Sequence, residues 1–514
     1  MDRAKALALL AAVASGAVAC GLNQEGVPPP EGTLFYPASA VVDATDRWLY
    51  VSNSNADLRY NDGTVVVLNL GSQIDDPGSP DQPIVYGAED DRAGDWKDCA
   101  SGDYVKTPRA LSEEAHYCCR DRLDPSILNC DERAYIAKRR TIRVGSFAAG
   151  MLVQTPKCPA MACECREPAA TGNPAHRRRL FVAVRGNTSI TWADINEDAD
   201  PPQLKCNEAT DDGGGLTECD ADHRVVATNN LPSASFSVDP NRPLTRLPDE
   251  PYAMAVDDDS GLMYVGHLTG NAALPYTGGF SLFDVSPLGD AFPWPRFVNP
   301  FPSPFAPNSN GSVGITSLMW RKESGTVYAT SRYTTAVTGL GTLLAATVCG
   351  EGGVRDLPAY PNGQFYDTMV AGAETRGIQF VGDRAFVLQR TPPALIEFDA
   401  SHNPVAILET CSSPTFLYKH DAGRGDRLFV NCFDTGEIYV FNPVATHLER
   451  QFQIGRGPAG LVFPNRAENQ KVAFVVGFGD NNISVVDLDP AKDPARTTEY
   501  HVIQRIGFPS TVPR

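Results

Sequence analysis

Thirteen cysteines and eight histidines are the side chains of this 514-residue chain with most scope for metal or redox chemistry, and their spacing limits what they can do. His116 with Cys118 and Cys119, and Cys163 with Cys165 across Glu164, place thiolates close enough to share a zinc or copper ion. No CxxC faces a second CxxC, however, and no CxxCH offers a haem attachment. Disulfide pairing is therefore the favoured reading, and no metal or cofactor is assigned. Asp194, Asn196, Asp198 and Asp200 alternate like the ligands of a calcium loop. The position that needs glycine is Ala199 and the one that needs glutamate is Lys205, which leaves a solvated acidic turn. Asp257, Asp258, Asp259, Ser260 and Gly261 are explained by the needs of a tight turn. The histidines form no HExxH and no i,i+4 pair; His267 and His420 flank strand-like segments without gaining a role. With no GxSxG elbow, Walker loop or GxGxxG before a helix, no catalytic residue is assigned.

Pairing cysteines requires an oxidising compartment, and the N-terminus supplies a route to one. Residues 1–19, MDRAKALALLAAVASGAVA, have a basic start, a short apolar stretch and small residues before Cys20, the layout of a signal peptide. Ala17-Val18-Ala19-Cys20 resembles the lipobox of bacterial lipoproteins, with Ala17 where that family has leucine. The resemblance implies that Cys20 becomes a lipidated N-terminus and fixes the protein to a membrane without spanning it. Residues 20–33, polar with three consecutive prolines, are expected to form a flexible tether. The net charge of −18 repels phosphate backbones, so nucleic acid is not an expected partner.

The remaining twelve cysteines permit six bridges. Short separation and position at strand ends select Cys206 with Cys219 and Cys411 with Cys432. Seven more stand in the region from Cys99 to Cys165, an odd set, so one of them either pairs with Cys349 or stays free.

The elements that must position these residues are strands. GPAGLVFPNRAENQKVAFVVGFGDNNISVVDLDP (457–490) divides into three β-branched runs separated by Gly/Asn turns, the pattern of an antiparallel meander. The order recurs upstream, and an aromatic in the second strand marks each unit: Tyr50, Phe181, Tyr264, Tyr328, Phe386, Phe429 and Phe474. The last two intervals, 43 and 45 residues, are the length of one four-stranded propeller blade. Leu49-Tyr50-Val51-Ser52-Asn53 and Ser484-Val485-Val486-Asp487 resemble the repeats of the YVTN family of β-propellers. That family implies an architecture but is nearly silent about activity.

The expected fold is therefore all-β, a seven-bladed β-propeller of four-stranded antiparallel blades over residues 34–514, with a six- or eight-bladed ring as the alternative because the second unit is split and the long insertions could hide strands. Disulfide-rich loop insertions are expected in its N-terminal half, at about 72–140, 154–176 and 196–245, outside the ring itself. Residues 508–512 either add to the first blade or cover its edge. The expected function is that of a monomeric, membrane-anchored binding or scaffold module of the cell envelope, offering its inserts to a protein or glycan partner. The alternative is a propeller hydrolase or lactonase holding a divalent ion in its channel, and a third reading is a redox or copper protein.

Overall fold

The computed structural model describes residues 26–71, 105–106, 117–155 except 138, 178–207, 216–225, 247, 250–258, 261–268, 280–285, 296–301, 314–332, 336–341, 348–349, 355–356, 365–371, 373–467, 469–489 and 499–507. Cys20, the cysteines at 99, 158, 163 and 165, His116 and residues 508–512 lie outside this set.

The chain forms an all-β propeller of antiparallel meander sheets, and its described helical residues are two single 3-10 turns. The first sheet runs Pro37–Val42, Trp48–Asn53, Thr64–Asn69 and Ile142–Arg143, with Thr217–Glu218 added in parallel outside. In the second, Ala148–Gln154, Arg179–Val184, Ser189–Asn196 and Gln203–Lys205 follow in order, and Arg224–Val225 also pairs with Ser189–Asn196. Four plain four-stranded sheets begin at the inner strands Pro251–Asp257, Ile315–Arg321, Ala373–Val381 and Pro414–His420. The last sheet starts at Pro458–Val462, continues through Val472–Gly477, Asn482–Asp487 and His501–Ile506, and extends outward by Leu128–Cys130, Tyr117–Arg120 and Val105–Lys106.

Two expectations are corrected here. Seven equal four-stranded blades do not form: six sheets have four or five strands and the last has seven. Nor is the first insert wholly outside the ring. Leu128–Cys130 pairs in parallel with His501–Ile506, tying residues near 129 to residues near 505. Gln504 Nε2 donates to the Tyr135 hydroxyl at 2.6 Å, and Arg505 bonds Asp121 at 2.9 Å, so the two chain regions are joined by side chains as well. A sheet edge left bare presents unpaired N–H and C=O groups, and these short insert strands cover it. The tether expected through Thr33 is likewise laid against the first sheet: the Asn61 N–H donates to the Val27 carbonyl, and Asn53 Nδ2 to that of Thr33.

The second strands explain why the sheets must stack. Trp48–Asn53, Arg179–Val184, Leu262–His267 and Thr326–Ser331 are buried at every position, so both faces of each strand meet protein. Leu49 and Val51 pack with Phe474 and Val476 of the last sheet, whereas Tyr50 packs with Leu180 and Val182 of the second. The inner strands contact one another in turn, and Pro37–Val42 touches both Ala148–Gln154 and Pro458–Val462, which closes the ring.

A second closure lies at the turn after the first inner strand. The Asp46 carboxylate, fully buried, accepts from the backbone N–H groups of Asn465 and Arg466 at 2.7 and 2.8 Å and from Asn469 Nδ2 at 3.1 Å. Asp46→Asn retains a residue type that tolerates its φ of 61° but turns an amide toward N–H donors. It should cost about 2 kcal/mol, read as a lower urea midpoint, because charge-assisted bonds to a buried group are among the stronger ones. An unchanged midpoint would contradict this role.

Candidate functional site

The inner strands converge on the ring axis and leave a cavity of about 560 Å³ between them. Its wall is mostly small residues, because large ones do not fit where backbones approach: a Cβ on Gly150 would lie 2.5 Å from the Tyr252 carbonyl oxygen. Each inner strand also breaks register against its second strand near its start, between Pro37 and Ser39, Ala148 and Met151, Pro251 and Ala253, Ile315 and Ser317, Thr375 and Gly377, Pro414 and Phe416, and Pro458 and Gly460. Such a bulge leaves a residue without a ladder partner and re-aims its side chain. Proline suits the strand start, since a missing N–H costs nothing on an edge facing the channel.

The bulge positions form a ring of equivalent places at one mouth of the channel. Most hold small residues, such as Ala38, Thr316, Thr415 and Ala459. Two hold large polar ones, Tyr252 and Arg376. Arg185, just past the second strand of its sheet, lines the cavity near Tyr252, with its guanidinium carbon 6.0 Å from the phenol ring centre. Arg185, Arg332 and Arg376 all act electrostatically on the Tyr252 hydroxyl: burial pushes that phenol up, and the three cations partly oppose it. The arginines meet carboxylates, Arg185 to Glu250 at 2.9 Å and Arg376 to Glu374 at 3.1 Å. The other side of the mouth is aromatic. Phe478 lies 5.3 Å from Tyr36 and 5.9 Å from Phe433 between ring centres, and Phe147 and Phe416 also line the cavity. No carboxylate, imidazole or thiol contributes to the described lining.

The residues singled out from the sequence lie elsewhere. Cys206 is bonded to Cys219 and Cys411 to Cys432; the second bond braces the mouth end of its sheet, since Cys432 pairs in register with Pro414 and adjoins Phe433 of the cavity wall. Cys118 is bonded to Cys130 across the added strands of the last sheet, and Cys119 is also disulfide-bonded, so neither is a thiolate open to zinc or copper. One of these bonds, Cys411–Cys432, lies in the C-terminal half, so the bracing is not confined to the N-terminal inserts. Together they suggest an oxidising, extracytoplasmic compartment. Among the described residues no helix is long and apolar enough to cross a membrane, and no three His, Cys, Asp or Glu side chains converge as a metal site.

The acidic stretch from Asp194 is spent on arginines. Asp194 bonds the Arg179 Nε at 2.8 Å, and Arg178 pairs with Glu197. Arg179 itself is buried with its guanidinium 4.0 Å over Trp192, and desolvation lowers its pKa to about 10 despite the Asp194 charge. His267 is buried inside the third sheet against the Ser281 hydroxyl at 2.8 Å. His420 stacks on Phe463 with ring centres 4.1 Å apart, and its Nε2–H donates to the Gln470 carbonyl at 2.7 Å, joining the sixth sheet to the last. Tyr252, Arg185 and Arg376 were not singled out because each stands alone in the sequence. The available signal was the offset from the start of the inner strand, which Tyr252 shares with Ala38, Thr415 and Ala459.

No family model matches the chain, and no curated protein matches it. Solved structures match it at low similarity. One is a hydrazine synthase chain of Kuenenia stuttgartiensis, 10% identical over 92% of this chain and 99% of that one, with a TM-score of 0.45. Another is dihydro-heme d1 dehydrogenase NirN in complex with DHE, 12% identical over 75% of this chain and 61% of that one, with a TM-score of 0.40. A protein of unknown function from Desulfotomaculum acetoxidans is 12% identical over 73% and 89%, with a TM-score of 0.38.

Burial is the main cause that lowers the His420 pKa below the 6.5 of a free imidazole, so folding favours its neutral form. The stability this contributes is present above about pH 6.5 and is lost as the pH falls through the folded-state value. The melting temperature of the protein should therefore drop more steeply between about pH 7 and 5 than that of His420→Gln. Parallel pH profiles would show that His420 does not titrate against folding.

Proposed function

We propose that the protein is a β-propeller lipoprotein of a bacterial cell envelope, held to a membrane through Cys20 and acting as a binding or scaffold module for a protein or glycan partner. The observation that carries this reading is where the added strands lie. Insert strands, braced by disulfides, build up the outer edges of the first, second and last sheets and so enlarge the surface the ring can offer to a partner. Kinship with the YVTN propellers rests on the repeat motifs themselves, chiefly residues 49–53 and 484–487.

Because Leu128–Cys130 is part of the last sheet, deleting the whole first insert would strip a ring edge along with any partner site. Deleting residues 75–103 spares those strands and the Cys118–Cys130 bond. That variant should fold with an unchanged melting temperature yet lose the envelope components that cross-link to the full chain. Recovery of the same components would contradict the partner role of this segment. Mass spectrometry of the N-terminal peptide tests the anchor: Cys20 should carry acyl groups, and an unmodified Cys20 would detach the protein from the membrane.

A further inference from the structure

We propose that the arginine side of the channel mouth binds a small organic anion, whose carboxylate or phosphate head lies between Arg185 and Arg376 and whose apolar body rests against the aromatic side of the cavity. This inference does not depend on the partner-binding role proposed above.

Arg376 takes one of the bulge positions around the mouth, and Tyr252 takes the equivalent position two sheets before it. Arg185 approaches the same phenol from the second sheet. The two arginines thus come from different sheets to one arc of the mouth, and only the closed ring brings them there. Each spends part of its donor set on one carboxylate, Glu250 or Glu374. A guanidinium has five N–H donors in a planar fork suited to two-point recognition of carboxylate or phosphate. The Nε atoms of both Arg185 and Arg376 are buried and have no hydrogen-bond partner among the described residues. A buried donor left unpaired is costly, so two of them acting on one phenol, with Arg185 and that phenol on the cavity wall, mark a place where an acceptor belongs.

Among the described residues, other charges near these arginines are Arg332, Arg390, Glu250, Glu374 and Asp434, with Arg390 3.9 Å from both Glu374 and Asp434, and Arg456 pairs with Asp480 beside Phe478. The carboxylates compete with a ligand head for the guanidiniums, which should hold affinity down and make it depend on Glu250. Across the mouth Phe433 and Phe478 offer ring faces and edges to a flat apolar body, Phe416 lines the same cavity, and Phe147 stands beside Arg185, whose backbone N–H donates to its carbonyl at 3.2 Å. The cavity volume of about 560 Å³ lies within the usual range for small-molecule sites. A net charge of −18 disfavours anions at the surface in general, so this local concentration of guanidiniums is not a by-product of composition.

The test uses the purified full chain with phenylacetate and phenyl phosphate as anionic probes and 2-phenylacetamide as the neutral counterpart, read by isothermal titration calorimetry. Both anions should bind, and the amide should bind at least about tenfold more weakly, since charge-assisted bonds carry the difference. Arg185→Gln and Arg376→Gln should each weaken phenylacetate binding by about tenfold or more. Glu250→Gln removes a competitor and should tighten it several-fold, a gain that misfolding cannot produce. No binding of either anion at millimolar concentration, equal binding of the amide, or unchanged binding in both arginine variants would overturn the proposal.

Discussion

The ring depends on one contact repeated at each interface: an aromatic of each second strand packs into the sheet that follows. Tyr50 meets Leu180 and Val182, Phe181 meets Met263 and Val265, and Tyr264 meets Val327 and Ala329. Tyr328, Phe386 and Phe429 repeat the contact with the fifth, sixth and last sheets. Phe474 completes it by packing with Leu49 and Val51 of the first sheet, so the interface between the two ends of the chain is built like all the others. Emptying such a position typically costs about 3–5 kcal/mol, which makes each interface comparable to a sizeable share of a domain's net stability. A blade with both faces apolar has no stable free form, and the cycle is the arrangement that buries every face.

Closing the cycle sets the terms for the axis. Inner strands brought this close leave no room for a side chain at their points of nearest approach, such as Gly150 against the Tyr252 carbonyl, and bulges at their starts twist them away from the second strands. The same bulges turn one residue per sheet toward the mouth. Where that residue is alanine or threonine the wall is plain; where it is Tyr252 or Arg376 the wall becomes chemically specific. Function is thus written at the positions the fold leaves free, while the strands beneath remain interchangeable.

The seven marker aromatics were legible in the sequence because they sit at a fixed place within β-branched runs, and the structure gives them a common task. Cys206 with Cys219 and Cys411 with Cys432 were legible because short separation and strand-end position select them. Cys118 with Cys130 was not, since the adjacent Cys119 left several pairings open. The strands Leu128–Cys130, Ile142–Arg143 and Thr217–Glu218 escaped detection for a physical reason: two or three residues cannot display an alternation, and two of these strands lie in segments whose length and cysteine content suggested loops. The mouth escaped because its residues come from different sheets and are brought together only by closure. Blade number failed in a subtler way, as the repeat predicts equal blades but insert strands add to the edges.

Hydrogen exchange read by mass spectrometry on Phe474→Ala tests the closed ring most directly. If that ring packs as one cycle, the substitution should raise exchange in Trp48–Asn53 of the first sheet as strongly as in Val472–Gly477, although the two strands lie at opposite ends of the chain. Exchange confined to the last sheet, with Trp48–Asn53 as protected as in the unaltered protein, would contradict closure through this contact.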